Sequence, residues 1–175
     1  MDLMAQLCLV HPETDWFVAD VQTTADGSLV LVGKPDASGE QQTRTLGCDT
    51  SPAEAWRVVV ELALASRRPA LERFCKYKLG KSLETIAGDG EIILEWYELD
   101  ADDVISLDVL AVLGFFCCAT ILDMRRTVDV PSQMSLRARV DQRAQYWPNL
   151  CELRVDDEQS SFKRRRDVGD AWVYF

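Results

Sequence analysis

The stretch from Val109 to Leu122 restricts this chain more than any other. It is 14 residues long, is interrupted only by Gly114 and Thr120, and is bounded by Asp108 and Asp123. A bilayer-spanning helix needs about 20 apolar residues, so the run predicts a buried core element and no membrane partner. Asp100 stands ahead of it as an N-cap, with Asp102 and Asp103 in the first turn. Negative charge there is stabilised by the free N–H groups and the macrodipole, by about 0.3–1 kcal/mol each. The pattern predicts a central core helix, apolar nearly all round, reaching about Arg126 and closed by Arg125 and Arg126.

A second helix start is sharper still. Ser51-Pro52-Ala53-Glu54 places Ser at the N-cap, Pro at N1 and Glu at N3, which is a capping box with a permitted proline. The helix offers Trp56, Val59, Val60, Ala63 and Leu64 as its apolar face, and Pro69 is expected to break or restart it near Arg68. A further helical stretch, Ala70 to Leu79, ends at Gly80, with Lys76, Lys78 and Lys81 suited to the helix dipole.

Strands are expected on both sides of this helical middle. Residues 1–48 read as an antiparallel meander: Leu3 to Val10, Trp16 to Thr23, Leu29 to Lys34 and Thr43 to Cys48, with a turn at Ala25-Asp26-Gly27. In 133–175, Met134, Leu136, Ala138 and Val140 alternate with polar residues, as do Cys151, Leu153 and Val155. Both segments read as half-buried strands, and Ala171 to Phe175 as a last one. Together with a strand at 91–99 inside the helical segment 51–126, the order implies one α+β domain. It has a mostly antiparallel sheet and two to three helices packed on one face.

The formal net charge of -10 and a pI near 4.6 disfavour a nucleic-acid partner and favour a basic protein. The acidity is concentrated. From Ser82 to Met124 there are ten acids and no Lys or Arg, whereas 67–81 carries six bases against Glu72. Within EIILEWYELDADD, capping accounts for Asp100, Asp102 and Asp103 but leaves Glu91, Glu95 and Glu98 over. On a helix these three and Asp102 would form one stripe. On the predicted strand, Trp96 and Tyr97 would stand among them as interface anchors. Glu91, Glu95, Glu98, Trp96, Tyr97 and Asp102 are therefore the predicted partner-binding residues. Lys163-Arg164-Arg165-Arg166 is expected to be neutralised by Asp156-Asp157-Glu158 within a loop or hairpin.

Catalytic patterns are not found in the sequence. His11 is the single histidine and reads as a loop residue. Gly80-Lys81-Ser82 fails as a phosphate loop because position 75 is Cys and a helix precedes it. Glu95, Asp100, Asp102 and Asp103 could hold Mg²⁺, but no base that could activate water lies between Lys81 and Arg125. Cys8 and His11 make half a zinc site without a second half. No catalytic residue, metal or cofactor is predicted. MDLMAQLCLV lacks a basic leader region, so the expectation is a cytoplasmic protein with six reduced thiols, mostly buried, of which adjacent Cys117 and Cys118 would point apart on a helix. The function expected is an inhibitor or immunity-type protein that docks a basic surface of a partner protein. The alternatives are an acidic secretion-type chaperone, an enzyme with a scattered site, metal-dependent or not, and a structural or self-assembling protein. A homodimer stays open.

Overall fold

Two capping boxes set where the long helices begin. Ser51 Oγ accepts from the Glu54 amide at 3.3 Å, and Glu54 returns a carboxylate to the Ser51 amide at 2.9 Å. Asp100 accepts from the Asp103 amide at 2.8 Å, and Asp103 accepts from the Asp100 amide at 3.2 Å. Each pair satisfies N–H groups that a helix start leaves unpaired. The computed structural model describes residues 2–94, 99–125, 130–157, 160–164 and 172–174, with the backbone alone at 130–135 and beyond 154. The architecture is α+β, and four of the six strand pairings among the described residues are antiparallel. Contacts group into two compact units, Met1–Pro69 and Ala70–Phe175.

The first unit runs α1 (Leu3–Val10), β1 (Val18–Thr23), β2 (Leu29–Gly33), β3 (Thr43–Leu46) and the greater part of α2 (Pro52–Phe74). The three strands form an antiparallel meander, turned at Gly27 with φ 84°. The expected first strand is instead α1. Its Leu, Met, Ala and Gln residues are strong helix formers, and this local preference prevails over apolarity. α2 lies against β2 at Gly33, where an added Cβ would sit 3.2 Å from Leu62 Cδ2. Ala55, Val59, Leu62 and Ala63 form its buried stripe, while Trp56 is only half-buried. Trp56 stacks on His11 with ring centroids 3.9 Å apart. His11 is thus packed on an aromatic ring, and burial outweighs the charge of Glu13 to hold its pKa below the ordinary value. α2 also runs through Pro69 without a break. The ring is exposed, so the helix loses one hydrogen bond on its solvent side.

The second unit takes the end of α2, a π-turn at Cys75–Leu79 closed by left-handed Gly80 (φ 64°), α3 (Leu83–Ile86), β4 (Glu91–Ile93), α4 (Ala101–Val112), β5 (Ile121–Asp123), α5 (Val130–Gln142), β6 (Glu152–Asp157), β7 (Ser160–Arg164) and β8 (Trp172–Tyr174). The strands lie in chain order, with β4, β5 and β6 parallel and β6, β7 and β8 antiparallel. Two expectations are corrected here. The core helix stops at Val112, because Gly114 at φ 85° turns the chain away and Ile121–Asp123 leaves as a strand. The apolar run still supplies core, with Val109, Leu110, Ala111, Val112, Phe116, Ala119 and Leu122 all buried. The expected strand at 134–140 is helix α5. Its alternation also fits a helical repeat, since Leu136 and Val140 are four residues apart and both buried. Arg139 and Arg143, again four apart, both reach buried Asp108, at 2.6 and 3.4 Å. Among the described residues five α-helices are formed, beside the two to three expected to pack on the sheet. Among the described residues, no helix is long and apolar enough to cross a membrane.

The parallel register aligns Ile92, Leu122 and Leu153 in one column, all at 1% exposure or less. Leu94 and Met124 extend the same side by one step and are fully buried. Leu122→Ala is expected to cost about 3 kcal/mol in urea denaturation, because the cavity would open in the middle of this column. Ile121→Ala, on the other face, is expected to cost well under half of that. As His11 is the single histidine, one imidazole NMR titration reports it, and its midpoint is expected below about 6.5. The burial that shifts it stabilises the fold above that pH and is lost as pH falls, so His11→Gln should flatten the stability profile between about pH 5 and 7.

Candidate functional site

Alternation along a strand means that burying Ile92, Leu122 and Leu153 turns their neighbours to the opposite face of the sheet. That face carries Glu91, Ile121 and Glu152 in one row and Ile93, Asp123 and Arg154 in the next. Most of these side chains are half-exposed, and together they form the densest charge cluster among the described residues. Arg154 is its centre. Its Nη1 lies 2.5 Å from Glu91 and 3.7 Å from Asp123, and its Nε donates to Glu152 at 2.8 Å. Arg125 grips Asp123 from the other side, with Nη2 on Oδ2 at 2.5 Å and Nε on Oδ1 at 3.0 Å, while its backbone amide also donates to Oδ1.

Asp123 is only 5% exposed although it lies on the open face, because the two guanidiniums cover it. Burial pushes its carboxyl up, but the Arg125 hydrogen bonds and the charges of Arg125 and Arg154 outweigh burial and bring it below the ordinary carboxylate range. The Glu152 hydrogen bond, strengthened by the nearby acids, raises Arg154 and keeps it a permanent cation. Arg125 was expected to close a helix. It closes a charge cluster instead.

This geometry redistributes the predicted docking residues. Glu91 begins β4 and is held by Arg154, with its side chain 42% exposed. Glu95, Trp96, Tyr97 and Glu98 lie outside the described residues. Asp102 is exposed in the first turn of α4 and makes no ion pair among the described residues. The acidic block and the basic block before it do meet: Lys78 pairs with Asp103 at 3.0 Å and Lys81 with Asp89 at 2.8 Å. One turn beyond Asp102, Ile105 is 45% exposed on a helix that buries Leu107 to Val112. Sequence periodicity did not single out Ile105, because one apolar residue in an apolar run carries no signal of which way it points.

Near the π-turn, Glu72, Lys76, Gly80, Lys81, Ser82, Leu83 and Glu84 line an open cleft of about 340 Å³. Lys81 is already committed there to Asp89 and to the Glu91 carbonyl at 3.2 Å. Among the described residues, no three His, Cys, Asp or Glu side chains converge as a metal site. The thiols also depart from expectation. Cys75 is buried, Cys8 is intermediate, and Cys48, Cys117, Cys118 and Cys151 are exposed. Comparison with family models, with curated proteins and with solved structures returns no match.

Arg154→Ala would leave the three carboxylates facing one another. It is expected to cost about 1–3 kcal/mol near neutral pH, discounted from a fully buried pair because the cluster is partly solvated. Asp123 ionises more readily in the folded chain than in the unfolded one, so its contribution is complete above about pH 4 and fades as pH falls through the lower folded value. Chemical denaturation of Asp123→Asn across that range should show a shallower acid limb than the parent protein.

Proposed function

We propose that this chain is a non-enzymatic protein-binding module, of the inhibitor or immunity type, that docks a basic surface of a partner protein. The observation that carries the reading is the combination of Asp102 and Ile105 on α4, an exposed carboxylate with no ion pair among the described residues, one turn from an exposed aliphatic side chain. Interfaces combine these two elements: charge speeds and orients the encounter, and a desolvated apolar group slows dissociation. The formal charge of -10 adds long-range attraction toward a basic partner. Glu95 and Glu98, with Trp96 and Tyr97 between them in the sequence, are assigned to the same binding surface as Asp102 in this reading. Glu91 contributes less, because its charge is shared with Arg154.

The test follows from that distinction. Reversing Glu91 would set a lysine against Arg154 and disturb the sheet, so the informative variant is Glu95→Lys, Glu98→Lys and Asp102→Lys combined. A partner isolated on the parent protein should be basic. Against the triple variant its association should slow about tenfold or more, and its affinity for the parent should fall as salt rises. Ile105→Ser should act mainly on dissociation. Unchanged binding of the triple variant at low and high salt would exclude docking by these acids.

A second reading, a secretion-type chaperone that shields an apolar client segment, is favoured by α1. Its Leu9 and Val10 are 76% and 62% exposed, and of its eight residues only Leu7 is buried. Under that reading, Leu9→Ser with Val10→Ser removes client binding and the acid reversals leave it intact. If the double serine variant binds as the parent does, this reading is discarded.

A further inference from the structure

Beyond Val112 the chain passes through consecutive turns before β5, and these turns carry the adjacent pair Cys117 and Cys118. Neighbouring side chains on a regular helix or strand diverge. Here they do not: the two Sγ atoms are 3.8 Å apart and both residues are exposed. The backbone beneath them is tied down on several sides. The Asn149 side-chain amide donates to the Cys117 carbonyl at 2.7 Å, the Cys117 amide to Gly114 at 3.3 Å and the Ala119 amide to Phe116 at 3.2 Å. Phe116, one residue before the pair, is buried and stacks on Trp147 with centroids 4.4 Å apart. The two thiols therefore stand on a fixed turn with exposed residues, and the Cys117 Sγ makes only a long contact, 3.9 Å, to the Ala87 carbonyl. The Cys117 thiol, by hydrogen bond and then by charge, raises the pKa of Cys118.

The spacing has a chemical meaning. Two thiolates bound at about 2.3 Å to one tetrahedral ion stand about 3.8 Å apart, which matches the observed separation. The narrower angles at pyramidal trivalent arsenic draw two sulfurs somewhat closer, a shift that side-chain rotation of this exposed pair supplies. The remaining cysteines offer no such pair among the described residues. Cys75 is buried and its thiol is pushed up to about 12, and Cys151 directs its S–H to the Thr120 carbonyl at 3.3 Å. We propose that Cys117 and Cys118 form a two-thiolate site for a thiophilic ion, either trivalent arsenic or a soft divalent metal. Soft ligands select such ions over hard ones. With a trivalent arsenical oxide, two S–H bonds and the As=O group become two As–S bonds and one water, with no change of oxidation state. With a divalent metal, two protons leave and two metal–sulfur bonds form. In both cases the coordination left open is filled by solvent or by the ion's own substituent.

The probe is phenylarsine oxide, added to the reduced, desalted protein and followed by intact-mass spectrometry. The parent should take up a single phenylarsenic group that survives excess 2-mercaptoethanol and is removed by 2,3-dimercaptopropanol, because a chelate resists monothiols and yields to dithiols. Cys117→Ala and Cys118→Ala should each lose that adduct, while Cys48→Ala and Cys151→Ala keep it. Cys117→Ser and Cys118→Ser, with circular dichroism matching the parent, separate loss of the site from loss of the fold. Preloading with Cd²⁺ alone distinguishes the two ion classes: blocked arsenical uptake assigns the site to both, and unblocked uptake assigns it to arsenic. A monothiol-resistant adduct that persists in both alanine variants, or that never forms on the parent, overturns the proposal.

Discussion

The second unit depends on one alternation. In β4, β5 and β6, Ile92, Leu122 and Leu153 must point to the buried side together, because each strand is only a few residues long and no other column is as apolar. A one-residue slip would reverse every side chain. It would bring Asp123 and Arg154 into the core and expose Leu122 and Leu153, at a cost in desolvation that no local contact could recover. Register, core and charged face are therefore a single decision. Helices α4 and α5 fit the same scheme as the crossovers that parallel strands require, and they are joined to each other through buried Asp108 and the arginines of α5.

An acidic chain must place its carboxylates without destabilising itself, and this one does so in three ways. Some cap helices, as Glu54, Asp100 and Asp103 do. Some bind bases from an adjoining segment, as Asp89 and Asp103 bind Lys81 and Lys78. Others are held by arginines distant in sequence, such as Glu91 by Arg154, 63 residues away. Lys and Arg do not substitute for one another here. The planar guanidinium of Arg154 reaches three carboxylates at once, which a single ammonium on a flexible stem would not do with the same geometry. Outside this accounting stand several exposed groups, among them Asp102 with Ile105 on α4 and the apolar end of α1. The docking and chaperone readings rest on these.

The legibility of the sequence followed the range of the forces. The Ser51 capping box, the Asp100 cap, the turns at Gly27 and Gly80 and strands β1 to β3 were readable, because each depends on residues a few positions apart. α1 and α5 were misread as strands because short apolar or alternating segments suit both periods, and burial decides between them. The core helix was overextended because nothing local to the apolar run marks where a strand takes over from a helix, apart from Gly114. The candidate docking residues were legible as an excess of acid. Which of them is neutralised was not, since Arg154 meets Glu91 only when β4, β5 and β6 share a sheet.

By itself, the amino-acid sequence determined the α+β class, the starts of α2 and α4, the surplus of negative charge and the presence of a large apolar core. These follow from composition and from interactions within one or two turns. Only the tertiary structure decided that β4, β5 and β6 run parallel, that Glu91 is held while Asp102 stands in solvent, and that Cys117 and Cys118 bring their sulfurs together. Each of those outcomes depends on where a side chain points after the backbone has been fixed by distant neighbours. That direction is set by burial and long-range pairing, which no local pattern encodes.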